Sequence, residues 1–532
     1  MSGTSVPELV ERQFERRRGR EFAFSGTGIL ACLAIAKVSL HLLGIGHYGF
    51  FRDELYYIAC GRHLAWGYID QPPLIAAVAW LSRHLFGEPL AAYRILPIAA
   101  GGATVFLTGL LARELDGGLF AQFLAALAIL FAPLFLAFDS FLSMNAFEPL
   151  FWLLCAWIAV RIVKGASPRL WLLFGAVAGL GLENKHTMLV FGFALVSGLM
   201  LARRARSSDL SLFGSKWIWF GGLLALALFL PNLIWEALHG WPQIEVVRNA
   251  QLFKNVHVSP LQFLAEQVLF LQPLALPIWL AGLCWFFFAK AGKQFRFLGW
   301  TYLIVLAIFV ALGGKSYYLL PVYPILAAAG GVAIEQFTAV ARVRWLQVAY
   351  PLVLVLGGAV TLPFGVPVLP VDTFIRYEDA IPYARSVKTE RDATVILPQI
   401  YADMMGWDNM AGTIARVYHE LPQAEQANCA ILAGNYGEAG AIDYYGPKLG
   451  LPAAIGGHNN YYLWGPRGYS GACVILFGER AELNKNFFAE VTRAATISNP
   501  LAMPSEQSVP VYICRKPVAP LAVLWPHFKM II

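Results

Sequence analysis

The chain has 532 residues, of which 58% are hydrophobic and only 14% charged, with a formal net charge of +7 and a mean hydropathy of +0.58. Soluble globular domains carry about one quarter charged residues, so an ordinary soluble enzyme is excluded and a polytopic α-helical membrane protein is indicated. The positive balance does not mark a nucleic-acid partner, because the lysines and arginines fall largely between apolar segments, where they set membrane orientation.

In chain order, a tail of residues 1–21 carries Arg12, Arg16, Arg17, Arg18 and Arg20 and leads into an apolar stretch near 22–46. That stretch exceeds the roughly 20 residues a spanning helix needs, is too long for a signal-peptide core and lacks an Ala-x-Ala site. It reads as a retained first span with a cytoplasmic N-terminus. Further stretches lie near 91–113, 118–137, 146–163, 169–182, 186–202, 216–235, 261–289, 297–313, 318–336 and 345–368, giving about 11 transmembrane helices. With this count the clusters Arg161/Lys164/Arg169, Arg203/Arg204/Arg206/Lys216, Lys290/Lys293/Arg296 and Arg342/Arg344 share the side of the Arg-rich tail, as the positive-inside rule requires. Leu74–Phe86 is apolar nearly all round but too short to span, so an interfacial or re-entrant helix is expected there. The first outer loop, 47–90, holds Arg52, Arg62 and Arg83, with Arg94 four residues beyond it, and these arginines are expected to have a ligand to hold.

Beyond residue 369 the composition turns polar. Apolar runs at 394–397, Cys429 to Leu432, Cys473 to Phe477 and Val511 to Cys514 read as short buried strands, so 370–532 is expected to be an α/β domain on the outer side. Of seven cysteines, Cys429, Cys473 and Cys514 lie in those strands. A disulfide between two of them is open, with buried free thiols the favoured expectation. There is no C-x-x-C spacing, GxGxxG or P-loop pattern, so neither metal nor nucleotide is indicated.

Ionisable residues gather at one membrane face: Asp53, Glu54, Asp70, Asp139, Glu148, Glu183, Lys185, His186, His239, His257 and Lys315. Charges at the membrane are costly, so each is a candidate for function or for pairing. Adjacent helical residues point about 100° apart, so Asp53 and Glu54 are not expected to share one role: one can face a cavity while the other makes a structural bond. As a bland alternative, both sit in the first turn of a helix from Leu55. Likewise, Asn145 can act as a helix cap, and the lysines can simply snorkel to the interface. The outer loop from His239 to His257 and the runs Asn435 to Gly446 and Gly456 to Pro466 are rich in aromatic and amide side chains compatible with sugar, as turn-rich loops also are.

The stretch Phe51-Arg52-Asp53-Glu54-Leu55-Tyr56-Tyr57, followed by Gly67-Tyr68-Ile69-Asp70-Gln71-Pro72-Pro73-Leu74, resembles the first outer loop of GT-C glycosyltransferases. The similarity is to the branch holding the protein O-mannosyltransferases and the bacterial aminoarabinose lipid A transferase. Lys185 in Gly181-Leu182-Glu183-Asn184-Lys185 and Lys315 in Lys315-Ser316-Tyr317-Tyr318-Leu319-Leu320-Pro321 match two further motifs of that family. Where the family commonly shows Thr-Asp-x-Pro-Leu, this chain has Ser143-Met144-Asn145-Ala146-Phe147-Glu148-Pro149-Leu150. Asn145 thus departs from the pattern, and Glu148, one turn on, or Asp139 can restore the charge.

The resemblance implies a GT-C-like catalytic domain over 22–369, with Asp53 and Glu54 as the catalytic pair. Lys185, Lys315 and Arg52 would contact the donor phosphate; Asp139, Asn145, Glu148 and His186 would form a second polar site. It further implies transfer of a sugar from a polyprenyl-phosphate donor to a lipid, glycan or protein acceptor of the envelope, with inversion, no metal or cofactor, at the outer face of a bacterial inner membrane. Two other classes also keep charges in membranes. A transporter or lipid flippase would be marked by inverted repeats, of which there is no sign. In a noncatalytic polyprenyl-lipid-binding assembly subunit Asn145 would mark lost chemistry, against which the retained Asp53, Lys185 and Lys315 argue.

Overall fold

The structure, a computed structural model, describes residues 26–203, 215–256, 258–381, 383 and 396–532. The arginines of the N-terminal tail, Arg204, Arg206, His257, Thr394 and Val395 lie outside these residues.

Among the described residues, every stretch predicted to span is helical over most of its length. Among the described residues six helices are long and apolar enough to cross a membrane, and two further helix pairs qualify together but are bent. Gly26–Leu42, Leu170–Asn184 and Thr187–Arg203 are also predicted spans. At 15 to 17 residues and 1.5 Å per residue they fall short of a hydrocarbon core about 30 Å thick, so length alone does not establish that they cross it. Leu74–Phe86 is a single helix of 13 residues. It buries Ile75, Ala76, Ala79 and Ser82 and leaves Trp80, Leu81, Leu85 and Phe86 exposed, a pattern suited to lying in the membrane interface.

Two predicted spans are not continuous. Leu119–Leu130 and Pro133–Asp139 meet at 64°, and Pro260–Phe270 and Pro273–Phe288 at 97°. Each break precedes a proline that has no N–H to continue the ladder and whose ring disfavours helical backbone at the preceding residue. Gln272, just before Pro273, has a φ of 70°. The stretch expected to form the first outer loop contains the helix Arg52–Arg62, the outer-loop helix.

The C-terminal part is built on a five-stranded mixed sheet. β1 (Cys429–Ala433) lies between β2 (Ile455–Gly456) and β3 (Cys473–Phe477), all parallel. β5 (Ser508–Pro517) runs antiparallel to β3 and to the edge strand β4 (Phe488–Ser498), giving the order β2-β1-β3-β5-β4. β1 and β3 are buried along their whole length, which is why they read as unbroken apolar runs. Ile431, Ile475 and Val511 pack with the helices Trp407–His419 and Tyr436–Tyr445 and with Leu55, Tyr56 and Ile58 of the outer-loop helix. Leu432, Val474 and Cys514 face the other way, onto Leu524, Trp525 and Phe528. The outer-loop helix therefore shares a core with the sheet.

Three strand-level expectations change. Ile396 and Leu397 form a bend rather than a strand; β4 and β2 were not foreseen. Cys429 and Cys473 are disulfide-bonded, not free, because their strands are neighbours and these two residues face each other in register. Cys514 is buried and free.

The outer-loop helix is anchored by Glu54, whose side chain is fully buried. It accepts from Phe51 N at 2.8 Å, from Leu142 N at 2.8 Å and from Arg94 Nη2 at 3.0 Å. Arg94, equally buried, also donates to the carbonyls of Ile45, His47 and Gly49. Removing one member of such a pair leaves a buried charge uncompensated, which costs about 3–5 kcal/mol. Glu54→Gln should therefore lower the thermal unfolding midpoint of the detergent-solubilised protein markedly, and an unchanged midpoint would show that the pair is not structural.

Candidate active site

Asp53 follows Arg52 at the N-terminus of the outer-loop helix, where backbone N–H groups favour a carboxylate. The turn of the helix that sends Glu54 inward sends Asp53 out to a cavity of about 210 Å³. Arg52, Lys254 and Lys315 reach that same cavity, together with Ser143, Asn145 and Tyr317. Its other walls are apolar and come in large part from the broken helices: Pro133, Leu134, Ala137 and Phe138 after the first bend, Leu269 and Phe270 before the second. The proline breaks thus turn two apolar helices aside and leave room beneath the outer-loop helix. A carboxylate, cationic side chains and an apolar trough meet in one place, an arrangement able to hold an anionic head group with a hydrocarbon tail and to take a proton beside it.

Asp53 Oδ1 accepts a hydrogen bond of 2.8 Å from the Tyr436 hydroxyl of the C-terminal part. Arg52 lies 3.6 Å from Asp403 and over the Tyr436 ring at 6.0 Å. Asp70 accepts from the Tyr56 hydroxyl at 2.7 Å. Burial pushes the Asp70 carboxyl up to about 6, the Tyr56 bond opposing and the charge of Asp53 adding to the shift. A smaller chamber of about 150 Å³ adjoins, lined by Asn435, Tyr436, His458 and Glu479, and Arg52 and Lys254 line both cavities.

The other expected site residues divide. Glu54, paired with Asp53 on sequence, does not line the cavity, because its carboxylate is consumed by Arg94 and two backbone N–H groups. Lys185 does not line it either: its ammonium donates to Asn145 Oδ1 and Glu148 Oε2, both at 2.8 Å, and lies 4.7 Å from the Tyr318 ring centre. Thr187 donates to the second Glu148 oxygen. Asn145 and Glu148, i and i+3 on one helix face, thus act together on one cation, and Asn145 alone of the two reaches the cavity. The cap of that helix is Ser143, which accepts from Asn145 N at 3.2 Å, not Asn145 itself. Asp139 is turned away into a buried pair with Lys37 at 2.9 Å. His186 is bound to Asn232 at 3.0 Å, and Asn232 donates to the Trp66 carbonyl, so this group braces the first loop instead of joining Asp139, Asn145 and Glu148 in one site. Of the loop arginines, Arg62 and Arg83 hold Glu88, Arg94 holds Glu54, and only Arg52 reaches the cavity.

Lys254, Tyr436 and Asp403 were missed. Lys254 lies in the His239-to-His257 loop, singled out for its aromatic residues and not for its one lysine. Tyr436 lies in a run noted for its composition, and nothing local in the sequence pairs it with a residue 383 positions earlier.

A family model described as dolichyl-phosphate-mannose-protein mannosyltransferase matches residues 70–235. No curated protein matches the chain. Among solved structures, the fold is similar to that of ArnT from Cupriavidus metallidurans bound to undecaprenyl phosphate, at 14% identity and a TM-score of 0.59, over 92% of this chain and 98% of that one. It is also similar to the archaeal oligosaccharyltransferase AglB from Archaeoglobus fulgidus in complex with an inhibitory peptide and a dolichol-phosphate, at 13% identity and a TM-score of 0.54, over 88% of this chain and 71% of that one. The fold of this chain is thus the one shared by these glycosyltransferase structures, and its stretch 70–235 is similar to the protein mannosyltransferase family.

Proposed function

We propose that this protein is an integral membrane glycosyltransferase that moves a sugar from a polyprenyl-phosphate donor to an envelope acceptor at the outer face of a bacterial inner membrane. The observation that carries the reading is the meeting of Asp53 with Arg52, Lys254 and Lys315 over an apolar trough. The trough suits the first isoprene units, and the cations suit the phosphate. Asp53 takes the proton of the acceptor hydroxyl as its oxygen bonds to the anomeric carbon. The bond from that carbon to the phosphate oxygen breaks on the opposite face, with inversion, and its electron pair leaves on the phosphate. The cations meet the charge that grows there. Lys185, neutralised by Glu148, shapes the floor through Asn145 and does not contact the phosphate directly.

The disulfide between β1 and β3 supports placing that sheet in an oxidising compartment, opposite the basic loops. A cysteine introduced within Gln423–Gln426 should label with an impermeant maleimide from outside, and one at Lys293 only after the membrane is opened. Labelling of both from one side would reverse the orientation.

Asp53→Asn preserves size and removes the proton acceptor, so turnover should fall by about 10²- to 10⁴-fold while membrane insertion is kept. Near-normal turnover by the purified variant with a polyprenyl-phosphate sugar would remove Asp53 from the chemistry.

The two lysines should separate. Lys315→Ala should weaken donor binding and lower turnover, each by roughly ten- to a hundredfold, the worth of one charge-assisted hydrogen bond. Lys185→Ala should chiefly lower the unfolding midpoint, since it strands the buried Glu148. Donor titrations beside thermal melts make the comparison, and equal donor dependence in both variants would contradict the division.

A further inference from the structure

The aromatic residue that bonds Asp53 comes from the far end of the chain, and its mounting is unusually complete. Tyr436 opens the helix Tyr436–Tyr445, whose N-cap is Asn435. Asn435 Oδ1 accepts from Glu438 N at 2.9 Å, and its amide donates to Glu506 Oε1 at 2.9 Å. Glu438 in turn accepts from Gly434 N and Asn435 N at 2.7 and 2.9 Å. Both carboxyls are buried, which raises them above the usual carboxylate range, Glu438 further through the nearby charge of Glu506. The Tyr436 ring lies against Tyr56, centroids 4.7 Å apart, and His458, at 4.5 Å. The helix also approaches the outer-loop helix closely: a Cβ on Gly437 would lie 2.4 Å from Arg52 Cγ, and one on Gly440 2.9 Å from Leu55. Tyr436 therefore meets Asp53 with little freedom left to its ring, its cap or its helix.

A hydroxyl fixed in this way does two things to the carboxylate. It ties down Oδ1, so that the remaining oxygen is the one left to turn to the cavity, and it fixes the plane of the carboxylate by a charge-assisted hydrogen bond. Arg52, Lys254 and Lys315 line the same cavity as Asp53, and Tyr57 and Asp70 of the loop feel its charge. Tyr436 is the one whose hydrogen bond to Asp53 is made by the C-terminal part.

We infer that Tyr436 is a positioning residue for Asp53, so that the C-terminal domain completes the catalytic base of the membrane domain instead of only covering it. This rests on the reading of Asp53 as the general base. The test is Tyr436→Phe, which keeps the ring between Tyr56 and His458 and deletes only the hydroxyl. Expected are a kcat lower by roughly ten- to a hundredfold, a donor KM within about twofold of the parent and an unfolding midpoint nearly unchanged. A structural tyrosine would shift the midpoint instead. The inference is overturned by an unchanged kcat, or by a kcat loss that comes with a raised donor KM, lost undecaprenyl-phosphate binding or a large fall in the midpoint. If Asp53→Asn is inactive while Tyr436→Phe behaves as the parent, only this inference fails. If Asp53→Asn is active, the reading beneath it fails as well.

Discussion

The buried contact between Glu54 and Arg94 holds the active region in shape. Its carboxylate gathers three pieces of chain that share no local sequence: the start of the outer-loop helix, the long helix that carries Arg94, and the turn at Leu142 that leads into the helix of Asn145 and Glu148. Arg94 extends the junction to the carbonyls of the turn that follows the helix Gly26–Leu42. An ion pair sealed from water is poor evidence for net stability against an apolar replacement, but it is demanding about geometry, since each donor must find its acceptor. Here that demand fixes which side of the outer-loop helix is inside. Once Glu54 is committed, its neighbour Asp53 must point elsewhere, and the cavity lies there.

Much of this was legible in the sequence because the membrane imposes strong rules. Apolar length marked the helices from Leu90–Glu114 to Leu346–Thr361. The angular argument for Asp53 and Glu54 needed only helical geometry, and the i, i+3 spacing put Asn145 and Glu148 on one face, though not that Lys185 would bind both. The breaks at Pro133 and Pro273 were passed over because a hydropathy count sums across them, although the prolines were in plain view. β4 was missed because an edge strand exposed along most of its length has no apolar run to show.

What stayed hidden was pairing at long range. Lys37 neutralises Asp139 from another span, Asn145 and Glu148 take up Lys185, and Glu88 takes up Arg62 and Arg83. Each of these residues has a type suited to a reactive site, and composition cannot separate a charge kept for chemistry from one kept for its partner. Conversely, Tyr436 had no motif to announce it. The disulfide belongs to the same class, since whether Cys429 meets Cys473 depends on which strands are neighbours and in what register.

The shared core of the outer-loop helix and the C-terminal sheet has a consequence for biosynthesis. Leu55, Tyr56 and Ile58 are made early in translation, yet the surfaces that bury them, such as Ile414, Ile442 and Ile475, are made last. Such contacts between distant parts of a chain are slow to form and leave apolar surface waiting meanwhile. The loop helix must remain adaptable, or be shielded, until the final strands arrive. A chain whose synthesis stops short of the sheet would insert its helices and still lack the surface against which the Asp53 helix settles, so the competence of the site is tied to completion of the sheet.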